Sequence, residues 1–153
     1  MASIYSVGLT KAGVNAANTV MWQLKSTATD RGHIRELSIS VSTAPTTAPC
    51  FVIARSTATG TATTTQLVQP VDTGDPAGTI LLESAWSAAP TFNTAGPFQK
   101  ILALPVTAGS GVIWTWNYGE CLVLPVSAGL CIANLNASGA TLGLFTINVT
   151  LTE

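Results

Sequence analysis

Ile34-Arg35-Glu36-Leu37-Ser38-Ile39-Ser40-Val41-Ser42 decides the fold, because Leu37, Ile39 and Val41 alternate with Glu36, Ser38 and Ser40. Successive side chains of a strand point to opposite faces, so a period of two marks a strand with one buried face and one wet face. Working outward, the same logic predicts strands over residues 19–25 (TVMWQLK), 51–55 (FVIAR), 98–106 (FQKILALPV), 112–116 (VIWTW), 122–126, 130–136 and 142–151. Residues 79–86 (TILLESAW) fit either a strand or a single helical turn. The intervening segments, STAPTTAP at 42–49 and STATGTATTTQ at 56–66, are β-branched and turn-forming and oppose helix. The reading is an all-β, antiparallel β-sandwich, jelly-roll-like, of about eight strands whose two sheets bury their inner faces against each other. Leu37, Ile39, Val41, Val52, Ile101, Ile113, Leu122, Ile132, Phe145 and Ile147 are its expected core.

An internal echo bears on topology. Residues 101–114 (ILALPVTAGSGVIW) and 121–134 (CLVLPVSAGLCIAN) share Leu-x-Leu-Pro-Val-Thr/Ser-Ala-Gly. Pro105 and Pro125 lack the ladder N–H and are expected to end or edge a strand, while Gly109 and Gly129 are expected to supply a positive φ for reversal. Convergent turn chemistry accounts for the echo as readily as a duplicated unit does.

Composition limits the function. The chain has 153 residues, enough for one domain, and only 8% are Asp, Glu, Lys or Arg, against about 25% in an ordinary soluble domain. Mean hydropathy is +0.44. Spread over the roughly 7,000 Å² of surface expected for this mass, thirteen charges leave about one per 550 Å². A surface so thinly charged, with a net charge of −1, favours self-association, so a homo-oligomer is expected. Six basic residues balanced by seven acids do not make a nucleic-acid footprint. No apolar stretch is long enough for a membrane helix, and Lys11 interrupts the N-terminal region where a secretion signal would need a continuous apolar run. Cys50, Cys121 and Cys131 lack a CxxC and read as reduced, packed thiols.

Candidate chemistry is sparse. His33 is the single histidine, in the charged segment Asp30-Arg31-Gly32-His33-Ile34-Arg35-Glu36, and there is no G-x-S-x-G. That segment reads as a solvated strand entry or as a polar subunit contact made by Arg31, His33, Arg35 and Glu36. Asp72 and Asp75 in VDTGDPAG read as a turn rather than a calcium loop. Asp72, Asp75, Glu83 and Glu120 offer carboxylates without a glycosidase motif. No catalytic residue, cofactor or metal site is therefore assigned, and the chain is not expected to be an enzyme. Trp114, Trp116 and Tyr118 recur at every second position and form an aromatic row, either packed inside or exposed to stack on sugars. Residues 1–18 read as an N-terminal arm or a first strand ahead of a 19–153 sandwich. As an arm, Ile4, Tyr5, Val7 and Leu9 would reach a neighbouring subunit or a larger assembly.

Residues 114–125 (WTWNYGECLVLP), Ser127-Ala128-Gly129-Leu130, Asn134 and Ala137-Ser138-Gly139-Ala140, together with residues 77–79, 84–86 and 89–91, resemble jelly-roll proteins of tailed bacteriophages. Several of these are capsid decoration or cement proteins. The resemblance covers about half the chain and consists mainly of turn residues and apolar strands. It implies a virion structural protein, made in the host cytoplasm, that binds the major capsid protein on the capsid exterior, often as a trimer, and bridges capsomers. A receptor- or carbohydrate-binding module on the same fold is the alternative.

Overall fold

The computed structural model describes residues 3–117 and 119–153, and the alternation in residues 34–42 places the central strand of one sheet. Among the described residues thirteen strands form, all paired antiparallel. They are β1 (Ile4–Ala12), β2 (Thr19–Lys25), β3 (Gly32–Thr43), β4 (Cys50–Ala58), β5 (Thr61–Leu67), β6 (Gln69–Pro70) and β7 (Leu81–Ala88), then β8 (Thr91–Phe92), β9 (Lys100–Ala103), β10 (Gly111–Thr115), β11 (Leu122–Leu124), β12 (Gly129–Asn134) and β13 (Leu144–Thr152). The first sheet runs β10-β3-β13-β1-β6, with β11 also on β3. The second runs β5-β7-β2-β12-β4-β8, with β9 also on β4.

Four of the pairings are nested. β1 pairs with β13, β2 with β12, β3 with β10 and β11, and β4 with β9, alternately in the first and second sheets. β13 then also joins β3, and β12 joins β4, closing each sheet. A long hairpin wound between two layers in this way is the jelly-roll arrangement. The count of thirteen corrects the expected eight. β5 escaped notice because Thr61–Leu67 is almost wholly exposed on a sheet edge and carries no apolar period, only β-branched propensity. β6 and β8 are two residues each. Of the ambiguous residues 79–86, 81–86 lie in β7, a strand.

Leu37, Ile39 and Val41 from β3 meet Phe145, Ile147, Val149 and Leu151 from β13 on the inner face, and all are buried. Opposite them lie Trp22 and Leu24 of β2, Phe51 and Ile53 of β4, and Ile132 of β12. Phe51 bridges the layers: its ring lies 5.3 Å from Phe145 edge-on and 6.2 Å from Trp22. Two expected core residues face solvent instead, and a third, Val52, is buried on the outer side of the second sheet. Ile101 is 58% exposed and Ile113 65% exposed, because their neighbours Leu102, Val112 and Trp114 take the inward positions. Within runs such as Val112-Ile113-Trp114 every residue is apolar, so alternation cannot choose the face, and the bulkier indole goes inside. Leu122 is half-buried against the main core.

Both halves of the internal echo carry the chain from one sheet to the other: β9 to β10 in the first, β11 to β12 in the second. Gly109 has φ +86° as expected. In the second copy the positive φ falls on Ser127 (+53°), not on Gly129. Gly129 is required for space, since a Cβ there would lie 2.3 Å from Gln23 Nε2 and 2.4 Å from Ser56 Oγ.

A second core sits on the outer side of the second sheet. Val20, Val52, Ala54, Cys131 and Ala133 point there, covered by Phe92, Trp86, Phe98 and Leu135. The cover arises because β7 runs on into β8, which pairs with the end of β4 and curls the ribbon over the sheet. Among the described residues no strand covers the outer side of the first sheet in this way.

Residues 4–12 are an integral strand. β1 pairs with β13 along its whole length, from Ile4↔Thr152 to Ala12↔Leu144. Tyr5 is buried in the core, Val7 and Leu9 pack against it, and Ile4 alone of the four is exposed. Alternation turns Tyr5, Val7 and Leu9 toward their own sandwich. Deleting residues 2–14 is expected to lower the melting temperature sharply, as read by thermal unfolding. Phe145→Ala and Ile39→Ala are each expected to cost about 2–5 kcal/mol in urea unfolding, whereas Ile113→Ala and Ile101→Ala change stability by no more than about 0.5 kcal/mol.

Candidate functional site

Two features occupy the uncovered outer face of the first sheet. The larger is a field made mostly of small, uncharged side chains. Register across β1, β13, β3 and β10 places Ser6, Thr150, Glu36 and Thr115 in one row, Gly8, Asn148, Ser38 and Ile113 in the next, and Thr10, Thr146, Ser40 and Gly111 in a third. The hydroxyls and amides tie to one another: Thr10 to Thr146 (3.3 Å), Ser42 to Thr146 (2.6 Å), and Asn148 Nδ2 donating to Ser38 Oγ (3.4 Å). Gly8 keeps the row level, since a Cβ there would lie 2.5 Å from Asn148 Oδ1. Among the described residues of these three rows Glu36 is the one charge, and Ile113 is the one large apolar side chain.

The second feature lies at the end of this face, where β3 bulges. The register on β13 shifts between Thr150, which faces Glu36, and Leu151, which faces Ile34, so Arg35 is the extra residue. The bulge also interrupts the partner strand. β10 stops at Glu36, β11 starts at Ile34, and Trp116 N donates to Arg35 O at 2.9 Å between them. The chain bows outward there, leaving a cleft of about 290 Å³ lined by His33, Arg35, Gly119, Cys121, Val123, Thr152 and Glu153. Cys121 Sγ lies 3.2 Å from His33 Nδ1, and both residues are half-buried. The Glu153 carboxylate is held at the cleft wall by Thr79 N, Thr79 Oγ1 and Ile80 N at 2.9–3.1 Å. A thiol against an imidazole can pass its proton to the ring nitrogen. Among the described residues no carboxylate holds the other nitrogen of His33, the arrangement that hydrolytic triads use.

The charged segment is thus divided. Arg31 is exposed, His33 and Arg35 enter the cleft, and Glu36 joins the hydroxyl field. Asp30 is fixed ahead of β3, with hydrogen bonds from Thr29, Thr79 and Thr27 holding its carboxyl below the usual range. Trp114 and Trp116 are half-buried against the main core, and the Lys100 ammonium lies 6.0 Å from the Trp116 ring centroid. Tyr118 lies outside the described residues. Asp72 makes a local turn, its Oδ1 accepting from Gly74 N at 2.9 Å. Glu83 is buried on the outer side of the second sheet, where Trp86 Nε1 donates to it at 3.1 Å and Lys25 lies 3.7 Å away. Glu120 is exposed on the loop before β11. Among the described residues no three His, Cys, Asp or Glu side chains gather into a metal-binding set. Sequence reasoning missed Cys121 as His33's partner because the two are 88 positions apart.

Comparison with known protein families, curated proteins and solved structures returned no match to this chain.

One cation bridges the layers. Lys11, on β1, donates to Met21 O (3.0 Å) and Ser84 O on strands of the other sheet and lies 4.8 Å from the Trp86 ring centroid. Burial lowers its amine from 10.5 to about 8. The two carbonyls and the indole face favour the ammonium and oppose that shift. Between these two values the native state has released a proton that the unfolded chain still binds. Stability therefore rises with pH across this window and is penalised below it. Urea unfolding at stepped pH from 8 to 10.5 is expected to show that rise in the wild-type chain and to lose this component in Lys11→Met.

Proposed function

We propose that this chain is a non-enzymatic structural protein of a virus particle, a decoration protein that binds the exterior of the capsid as a homo-oligomer and bridges its capsomers. The observation that carries the reading is the uncovered hydroxyl field of the first sheet. Contact there desolvates one carboxylate and no cation, so the electrostatic penalty of burying the face is small. The patch can meet a different surface of a neighbouring copy, or a shell subunit, without opposing large like charges, and head-to-tail contacts of the first kind can close as a ring such as a trimer. Ile113 supplies an apolar anchor at one edge. From strand spacings the field measures roughly 20 by 20 Å, about half of the ~800 Å² per partner of a standard stable interface. The adjoining loops then complete the contact.

The resemblance of residues 77–79, 84–86, 89–91, 114–125, 127–130, 134 and 137–140 to jelly-roll proteins of tailed bacteriophages, several of them capsid decoration proteins, supports a capsid as the partner. The glycan-binding alternative has weaker support, because Trp114 and Trp116 pack against the core.

The wild-type chain is expected to sediment as an oligomer and to pellet with empty capsids. The double variant Ser38→Arg with Asn148→Arg places two cations at the centre of the field and is expected to release a 15.7 kDa monomer and abolish pelleting. A wild-type monomer at micromolar concentration that stays in the supernatant overturns the proposal, and adsorption to host cells without capsid binding would favour the receptor reading.

A further inference from the structure

The three cysteines differ in ways that capsid binding does not require. Cys131 is buried in the second core, and its thiol is pushed up to about 12 by burial and then by the charge of Glu83. Cys50, half-buried on β4, is pushed up by burial alone. Cys121 lies at the mouth of β11, lines the cleft, and has the molecule's one imidazole 3.2 Å from its sulfur. The cleft, about 290 Å³, is near the lower end of the range for small-molecule pockets. Its charged walls, Arg35 on β3 and Glu153 after β13, are of opposite sign. A thiol, a base and room for a small molecule therefore coincide at the bulge.

We propose that Cys121 and His33 form a thiol-exchange site that takes up a low-molecular-mass disulfide as a mixed disulfide on Cys121. With the imidazole protonated at Nε2, Nδ1 accepts the Cys121 proton as the sulfur attacks. A new S–S bond forms between Cys121 Sγ and the near sulfur of the incoming disulfide, whose own S–S bond breaks. The far sulfur departs as a thiolate and takes a proton from the imidazolium or from water. Cys121 is oxidised, the departing sulfur is reduced, and the disulfide is the oxidant. The site stands on the geometry of the cleft and does not depend on the assembly role.

The test uses the full-length native chain with two probes, 5,5′-dithiobis(2-nitrobenzoate) and oxidised glutathione, with peptide mass mapping to assign each modified cysteine. Cys121 is expected to react at least about tenfold faster than Cys50, and Cys131 to react only on unfolding. His33→Ala is expected to slow Cys121 by about tenfold or more at an unchanged melting temperature. Imidazole added to the buffer should then restore part of the rate. If the Ala variant loses its fold, His33→Gln carries the same comparison. Reaction of Cys121 no faster than Cys50, a His33 variant reacting at the wild-type rate, or a slowed variant that imidazole does not rescue each overturns the proposal.

Discussion

Every face of this molecule is assigned by the parity of β3. Leu37, Ile39 and Val41 are drawn inward by the apolar faces of β13 and of the opposite sheet. Because side chains alternate strictly, that choice sends Ser38, Ser40 and Ser42 outward and sets the register of β13 on one side and β10 on the other. A slip of one residue would bury a row of serines and expose a row of aliphatics. Parity breaks at two places on β3, Ser42 and Arg35, and at Arg35 the partner strand splits and the cleft opens. Core, hydroxyl field and cleft follow from one pattern and its interruption at Arg35.

The sequence made this pattern legible wherever apolar and polar residues alternate. Residues 34–42 and 144–151 read correctly as strands because period two was visible, and so did the burial of Ile39, Phe145 and Ile147, whereas residues 19–25 read as a strand from their apolar run and are buried on both faces. It failed where the local signal has no contrast. Ile101 and Ile113 sit among apolar neighbours, and residues 61–67 are almost uniformly polar, so neither gives period two anything to resolve. The site was less legible still. His33 and Arg35 were singled out by their charge, but the partner sulfur arrives through pairing of β11 with β3, a contact between distant segments that no local motif announces.

The two outer faces contrast. The second sheet folds its β7–β8 ribbon back over Val20, Val52, Ala54 and Ala133, so that its apolar outer side becomes a second interior. The first sheet leaves its outer side open and makes it polar with short hydroxyl and amide groups that bond among themselves. Side chains this short lose little rotamer entropy when another surface covers them, and they hold no long charged stems that would have to move aside.

Nested pairing also governs how the chain acquires its structure in time. Ile4 pairs with Thr152, and β3 gains neither of its flanking strands until β10 and β13 have been made. Contacts between residues so far apart require closure of long loops before they return any stabilisation, which places the domain among slow-folding β architectures. Until β13 docks, the inner row of β3 and one edge of β1 remain open to other chains. Growing polypeptides therefore pass through a stage prone to aggregation, and the closing step belongs to β13.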